Sequence, residues 1–319
     1  MNNNNKNKNN KRKILHLLTW EWKNIEYNLD KIKATGFTAI QISPIQKCKP
    51  LWDNNGRITK GSSEWYDVLC REWWKLYQPL SFLEINNFLG NEKDFISLCT
   101  KAKEIGVEVY VDVILRHVAN KDNSRLEPHE NVDKELVKYL KTSQHDTMNY
   151  HDRWELINHC TGLPMFDYNN IEFQNKHVIP FLMKILKYAD GVRFDQLCKH
   201  YALPSEGGSI FENVIAKLPK DKYYYGEGIE IPSDIFDEYG KYVDVLCPYH
   251  ENWGRQNSVR FIESHDTCLS FLYSLSMNDS ARLQGYEDCL RQYNNVIYFA
   301  RRNDNTIFSD KMKEINNRY

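Results

Sequence analysis

At 319 residues the chain is long enough to bury a large core, and its 42 basic and 43 acidic residues leave a net charge of −1 with histidine neutral. That balance gives no reason to expect a polyanion such as a nucleic acid, or a membrane surface, as partner. No apolar stretch approaches the length needed to cross a bilayer.

In chain order, residues 1–12 are an Asn/Lys tract with nothing to bury and are expected to be disordered. The apolar run Ile14–Leu18 is interrupted by His16 and followed by Glu21, so it reads as a first strand and not as a signal-peptide core. Strands are predicted near 13–18, 37–42, 107–113, 190–195, 222–226, 243–247, 258–263 and 295–300. Between them lie helical stretches such as Glu26–Ala34, with apolar Tyr27, Leu29 and Ile32, and Glu92–Ile105, which stops at Gly106 as a C-cap would. Ser309–Arg318 predicts a last short helix with Ser309 or Asp310 as N-cap. Eight strands alternating with helices make an α/β chain, a TIM (β/α)8 barrel. Two connections, 43–90 and 118–170, are long, and excursions of that size within a compact domain are usually functional.

Cys48, Cys70, Cys99, Cys160, Cys198, Cys247, Cys268 and Cys289 are scattered, with no C-x-x-C pair to suggest zinc or redox chemistry. They read as free thiols of a reducing, cytoplasmic compartment. Most of the 20 tyrosines and 8 tryptophans are assigned to the core, although flat rings also line sugar-binding clefts.

Four strand ends carry chemistry. Val109–Leu115 runs on into Arg116-His117. In Gly191-Val192-Arg193-Phe194-Asp195, alternation places Arg193 and Asp195 on one face. The guanidinium would lower the carboxyl pKa, which suits a nucleophile; taken alone, the pair reads more readily as a structural ion pair. Tyr223-Tyr224-Tyr225-Gly226-Glu227 ends an aromatic strand in a carboxylate, either a general acid of raised pKa or a solvent-facing glutamate. Ser258–Ile262 ends in Glu263-Ser264-His265-Asp266-Thr267, an imidazole and a carboxylate at the loop mouth where barrel enzymes keep their chemistry.

In this order the four segments resemble the α-amylase family of retaining glycoside hydrolases. Leu15-His16 through Trp20, Gly36–Pro44, Trp73-Trp74 with Tyr77-Gln78-Pro79, Asp152-Arg153-Trp154 and Gly162-Leu163-Pro164 are similar to further segments of that family, so that the resemblance covers roughly 13–300. It implies Asp195 as nucleophile, Glu227 as acid/base, and Asp266 as the third carboxylate, which binds sugar hydroxyls and favours the oxocarbenium-like transition state. His117 and His265 would bind hydroxyls of the same sugar, and Arg193 would orient Asp195. Tyr77, followed by Gln78, would stack on that sugar, and Lys199 and His200 would lie on the leaving-group side.

The resemblance further makes residues 118–170 a short polar domain inserted after the third strand. No all-β C-terminal domain is read after Ala300, so the closing seam of the barrel is expected to expose apolar surface. The implied substrate is an α-1,4-glucan (starch, glycogen or maltooligosaccharides), cut by an endo-acting hydrolase. A glucanotransferase and a non-catalytic glucan-binding homologue are the alternatives, and the retained carboxylates speak against the second. No cofactor and no metal are expected: Arg116 stands where the family's calcium site has an Asn ligand, and Met165 where it has an Asp. Ser264 stands where chloride-binding members carry Asn. The oligomeric state is not fixed by the sequence.

Overall fold

Eight parallel strands close into a barrel in the computed structural model, which describes residues 11–52, 58–142, 144, 152–158, 162–197, 203–228, 233–248, 258–266, 277–301 and 303–319. They are β1 (Arg12–Leu17), β2 (Ala39–Ile42), β3 (Glu108–Val113), β4 (Gly191–Phe194), β5 (Tyr223–Glu227), β6 (Asp244–Pro248), β7 (Ser258–Phe261) and β8 (Asn295–Phe299). Each pairs with its neighbours in sequence, and β1 pairs with β8 to complete the ring. Both faces of such a strand are covered, so the sequence shows near-continuous apolar runs. Alternate residues Ile14, Ala39, Tyr110, Tyr225, Val259, Phe261 and Ile297 fill the barrel, while Leu15, Ile40, Val109 and Val192 face the helices.

The barrel is sealed from below by polar aromatic contacts. The Arg12 guanidinium lies 4.0 Å from the Tyr223 ring centre and its Nε donates to the Tyr110 hydroxyl at 3.0 Å. The Tyr223 and Asn295 side chains both donate to Asp244 Oδ2, at 2.7 and 3.0 Å. The first strand therefore opens at Arg12, one residue inside the stretch expected to be a disordered tail, because that arginine has a ring and an acidic neighbour, Glu108 at 3.4 Å, to pair with. Residues 1–10 lie outside the described part of the chain.

Helix α1 (Trp22–Ala34) buries Trp22, Ile25, Leu29 and Ile32, the spacing of a core-facing stripe. Tyr27 does not belong to that stripe: it is 79% exposed on the opposite face. Helix α2 (Glu92–Ile105) opens with an Asn91/Asp94 capping box and closes at Gly106, whose φ of 71° is the left-handed cap conformation. After β7, helix α3 (Asp279–Gln292) returns the chain to β8. Helix α4 (Asp310–Arg318), capped by Ser309, buries Met312 and Ile315. Its Asn316 donates to the Thr35 carbonyl and accepts from the Tyr286 hydroxyl, both at 3.0 Å. The closing seam is therefore covered by α4, and the apolar exposure expected there is confined, among the described residues, to Phe308 at 38%.

The two long connections meet over the C-terminal mouth. Residues 43–90 supply an antiparallel sheet of Gln46–Cys48, Pro79–Asn87 and Gly90–Asn91. Residues 118–170 contribute, among the described residues, short helices and isolated bridges laid on that sheet: Ala119 N–H donates to the Pro79 carbonyl and Asp133 N–H to the Leu80 carbonyl, each at 2.9 Å. The ordered strands of this outlying region thus come from the earlier connection. The three-residue strand Gln46–Cys48, with register shifts at both its steps, is too short and irregular to read as alternation.

Candidate active site

Followed upward, the inward face of the barrel changes from apolar to polar: the last inward positions are His16, Gln41, Asp112, Arg193, Glu227 and, beyond β7, Glu263. Arg193 is the hub. Its Nη1 donates to Asp112 Oδ1 at 2.8 Å and Oδ2 at 3.0 Å and to Asp195 Oδ1 at 2.9 Å, and its Nη2 lies 3.3 Å from Glu227 Oε1. One guanidinium thus brings together the carboxyls predicted at the ends of β4 and β5 and adds a third, Asp112, which is fully buried.

Two further contacts fix the pair. Asp195 N–H donates to the Val113 carbonyl at 3.1 Å. Gln196 N–H donates to Glu227 Oε2 at 2.8 Å, which Gln196 achieves at a φ of 48°, a conformation costly for a residue with a Cβ.

The electrostatics correct one expectation. Burial pushes the Asp195 pKa up, Arg193 pulls it down, and the neighbouring charges of Glu227 and Asp112 push it up further, so the Asp195 carboxyl lies well above its ordinary value. A single cation is shared by three acids. The sign for stability follows. A carboxyl whose pKa is raised by folding stabilises the fold most below its ordinary value near ~4, and that contribution is lost as pH rises through the raised value. Asp195→Asn, permanently neutral, is therefore expected to melt above the wild type at pH 7, by about 2–4 °C for each kcal/mol of crowding relieved. The difference should vanish on acidification below pH ~4; scanning calorimetry at both pH values checks it, and a variant less stable than wild type at pH 7 contradicts it.

Around this trio lie several more of the residues singled out in the sequence. His265 is 4% exposed; its Nε2 lies 3.5 Å from Asp266 Oδ2, and its ring stacks on Tyr77 at 5.1 Å and meets Trp73 edge-on at 4.9 Å. The Tyr77 hydroxyl donates to Asp112 Oδ2 at 2.9 Å, so this ring also builds the site wall. His117 Nε2 is 2.7 Å from the Tyr77 carbonyl oxygen. Gln78 is buried, and its main chain pairs with Lys49 and Lys75. Lys199 and His200 lie outside the described residues.

A small crevice opens beside the hub, lined by His16, Arg193, Glu227, Glu263, His265 and Asp266 among others. His16 Nε2 and His265 Nδ1 are buried without a hydrogen-bond partner among the described residues. The His16 ring is held uncharged: burial lowers its pKa well below the ordinary value, helped by His265 and Arg193. Asp112, His16 and Trp73 are site residues that the sequence reading gave no role.

Arg116 and Met165, which the resemblance sets at a calcium position, do not offer what that ion takes. The Arg116 side chain is 1% exposed, with Nη1 3.3 Å from Gln196 Oε1, and Met165 is 2% exposed with its N–H donated to Gln144 Oε1 at 2.9 Å. A hard cation takes oxygen ligands, which a guanidinium and a thioether do not provide.

Buried carboxyls around one arginine at the C-terminal mouth of a barrel make a candidate site for acid–base chemistry, and comparison with known proteins narrows it. No family model matches the chain. An α-amylase of Clostridium acetobutylicum is 30% identical over 236 residues, 68% of this chain and 28% of that protein. An α-amylase of Butyrivibrio fibrisolvens is 29% identical over 260 residues, 72% of this chain and 25% of that protein. Among solved structures, α-amylase I of Eisenia fetida in complex with maltohexaose superposes with a TM-score of 0.68 at 17% identity, over 91% of this chain and 66% of that one. The Geobacillus thermoleovorans α-amylase complexed with acarbose gives 0.66 at 17% identity, over 96% of this chain and 77% of that one. The chain belongs to the α-amylase family of glycoside hydrolases. It spans about a quarter of the length of the curated relatives it matches.

Proposed function

We propose that the protein is a retaining glycoside hydrolase that cleaves internal α-1,4-glucosidic bonds of starch, glycogen or maltooligosaccharides. The observation that carries this reading is the single guanidinium of Arg193 bonded to Asp195 and lying 3.3 Å from Glu227, which sets a nucleophile beside an acid at the barrel mouth. In the proposed reaction Asp195 attacks the anomeric carbon while Glu227 protonates the leaving oxygen; water, deprotonated by Glu227, then releases the sugar from Asp195. Arg193, which donates to Asp195 Oδ1, is the group that favours the ionised nucleophile. Asp266 and His265, flanked by Tyr77 and Trp73, line the position of the reacting sugar, His117 supports the Tyr77 main chain, and Lys199 and His200 are assigned to the leaving-group side. The maltohexaose and acarbose complexes of the two structural relatives support a glucan as substrate. Chromatography of the products from maltooligosaccharides tests the reading: shorter oligosaccharides support hydrolysis, and products longer than the substrate would assign a glucanotransferase instead.

The same reading makes the enzyme independent of calcium. The buried Arg116 supplies a fixed positive charge between β3 and the Gln196 turn, where an ion would otherwise join them. Activity and melting temperature are expected to be unchanged by EDTA. A large loss restored by added calcium would overturn this assignment. A cytoplasmic location is proposed from the thiols: among the described residues Cys48, Cys99 and Cys289 are buried and form no disulfide.

A further inference from the structure

The proposed reaction needs the Asp266 carboxylate in a fixed place, yet Asp266 stands beyond the end of β7 with 49% of its side chain exposed. What holds it lies beneath. Glu263, three residues earlier, is 4% exposed and lines the same crevice as His265 and Asp266. Two guanidinium groups grip it: Arg282 Nε and Arg301 Nε donate to its Oε2 at 2.8 and 3.0 Å, and Arg301 Nη2 donates to its Oε1. With both oxygens so engaged, Glu263 is a carboxylate in the crevice that is not available to act on a sugar.

The network reaches further. Arg282, on α3 and 2% exposed, donates through Nη2 to the Phe299 carbonyl at 2.7 Å and to Asp304 Oδ2 at 2.8 Å. Asp304 also accepts from the Arg301 N–H at 3.0 Å and the Thr306 N–H at 2.9 Å. Burial works to raise the Asp304 pKa, but the hydrogen bonds from Arg282 and Thr306 outweigh it and hold the carboxyl ionised, below its ordinary value. The ends of β7 and β8 and the helix between them are thereby tied to one another by direction-specific bonds. Apolar side chains of similar volume would hold these elements together as well, since buried ion networks contribute little net stability. What the ions add is a fixed orientation of the turn.

We propose that Glu263, Arg282, Arg301 and Asp304 form a positioning clamp that sets the His265–Asp266 turn, and through it the Asp266 carboxylate, over the crevice. The clamp rests on the glycosidase reading above, and its four members are positioning residues. The experiment compares kcat and KM on an aryl maltooligosaccharide with a good leaving group for Arg301→Met and Arg282→Lys, each alone and combined with Asp266→Asn. Arg301 is the milder site, because its removal leaves Arg282 on Glu263; melting temperatures verify that each variant is folded. Each single variant should lose about 10- to 100-fold in kcat, the effect of a misplaced group. KM should change by less than about threefold. In the Asp266→Asn background the same substitutions should cost less than about twofold, since the clamp reaches the reaction only through Asp266. Wild-type kcat in folded Arg301→Met and Arg282→Lys, or losses that add fully to that of Asp266→Asn, would overturn the clamp. Absence of turnover by the wild type would overturn the glycosidase reading and the clamp with it.

Discussion

Asp195→Ala, Glu227→Gln and Asp266→Asn are each expected to abolish nearly all turnover of a maltooligosaccharide while leaving the far-ultraviolet spectrum unchanged. The three groups act at different points of one transition state. Asp195 forms the bond to the anomeric carbon, Glu227 delivers the proton to the leaving oxygen, and Asp266 binds the hydroxyls of the ring as it flattens. General acid–base catalysis alone contributes about 10²–10⁴-fold, and losing the nucleophile costs at least as much. The substrate matters to the test. With a poor leaving group, protonation is needed for bond cleavage, so Glu227→Gln shows its full loss; with an activated aryl leaving group it should recover part of the rate, whereas Asp195→Ala should not. Steady-state rates on both substrates check this. Wild-type turnover of the unactivated substrate by any one variant would remove the role assigned to that residue.

Arg193→Met is expected to destabilise the fold at neutral pH by about 3–5 kcal/mol, because removing one partner of a buried ion cluster leaves the other charges uncompensated. Asp112 is fully buried and takes two of its hydrogen bonds from this guanidinium, and Asp195 at 7% exposure takes another. Asp112 would retain the Tyr77 hydroxyl, which satisfies an oxygen without balancing the charge. The penalty should shrink as pH falls, because protonation removes the uncompensated charge. Urea unfolding at pH 7 and pH 4 measures both effects. A loss under about 1 kcal/mol at pH 7, the size expected of an exposed pair, would contradict the role given to this hub.

The eight strands were legible because a barrel strand is covered on both sides, and a run such as Val296–Ala300 leaves no polar face to confuse with solvent. The end of α2 was legible from one glycine, Gly106, since a left-handed cap favours that residue. Tyr27, named with Leu29 and Ile32 as an apolar residue of this helix, lies two positions from Leu29 and so falls on the opposite face. Within the site, Arg193 and Asp195 could be paired from alternation along one strand. The sharing of Arg193 with Asp112, 81 residues away, could not, and neither could the burial that chiefly raises the Asp195 carboxyl. A signal was present: Asp112 is the one charged residue inside the apolar run Val109–Leu115, and a charge on the inward face of a buried strand requires a partner. The clamp beneath Asp266 was illegible because it joins residues from β7, α3 and the segment after β8 through side-chain geometry alone.

The central claim, a retaining cleavage of α-1,4-glucosidic bonds at the Asp195–Glu227 pair, is tested most directly by following the anomeric protons of the products during the first minutes of reaction with maltooligosaccharides, before mutarotation equilibrates them. The account predicts new reducing ends that appear in the α configuration in the wild type and no such signal in Asp195→Ala. Products released in the β configuration, or no new reducing ends from the folded wild-type protein, would contradict it.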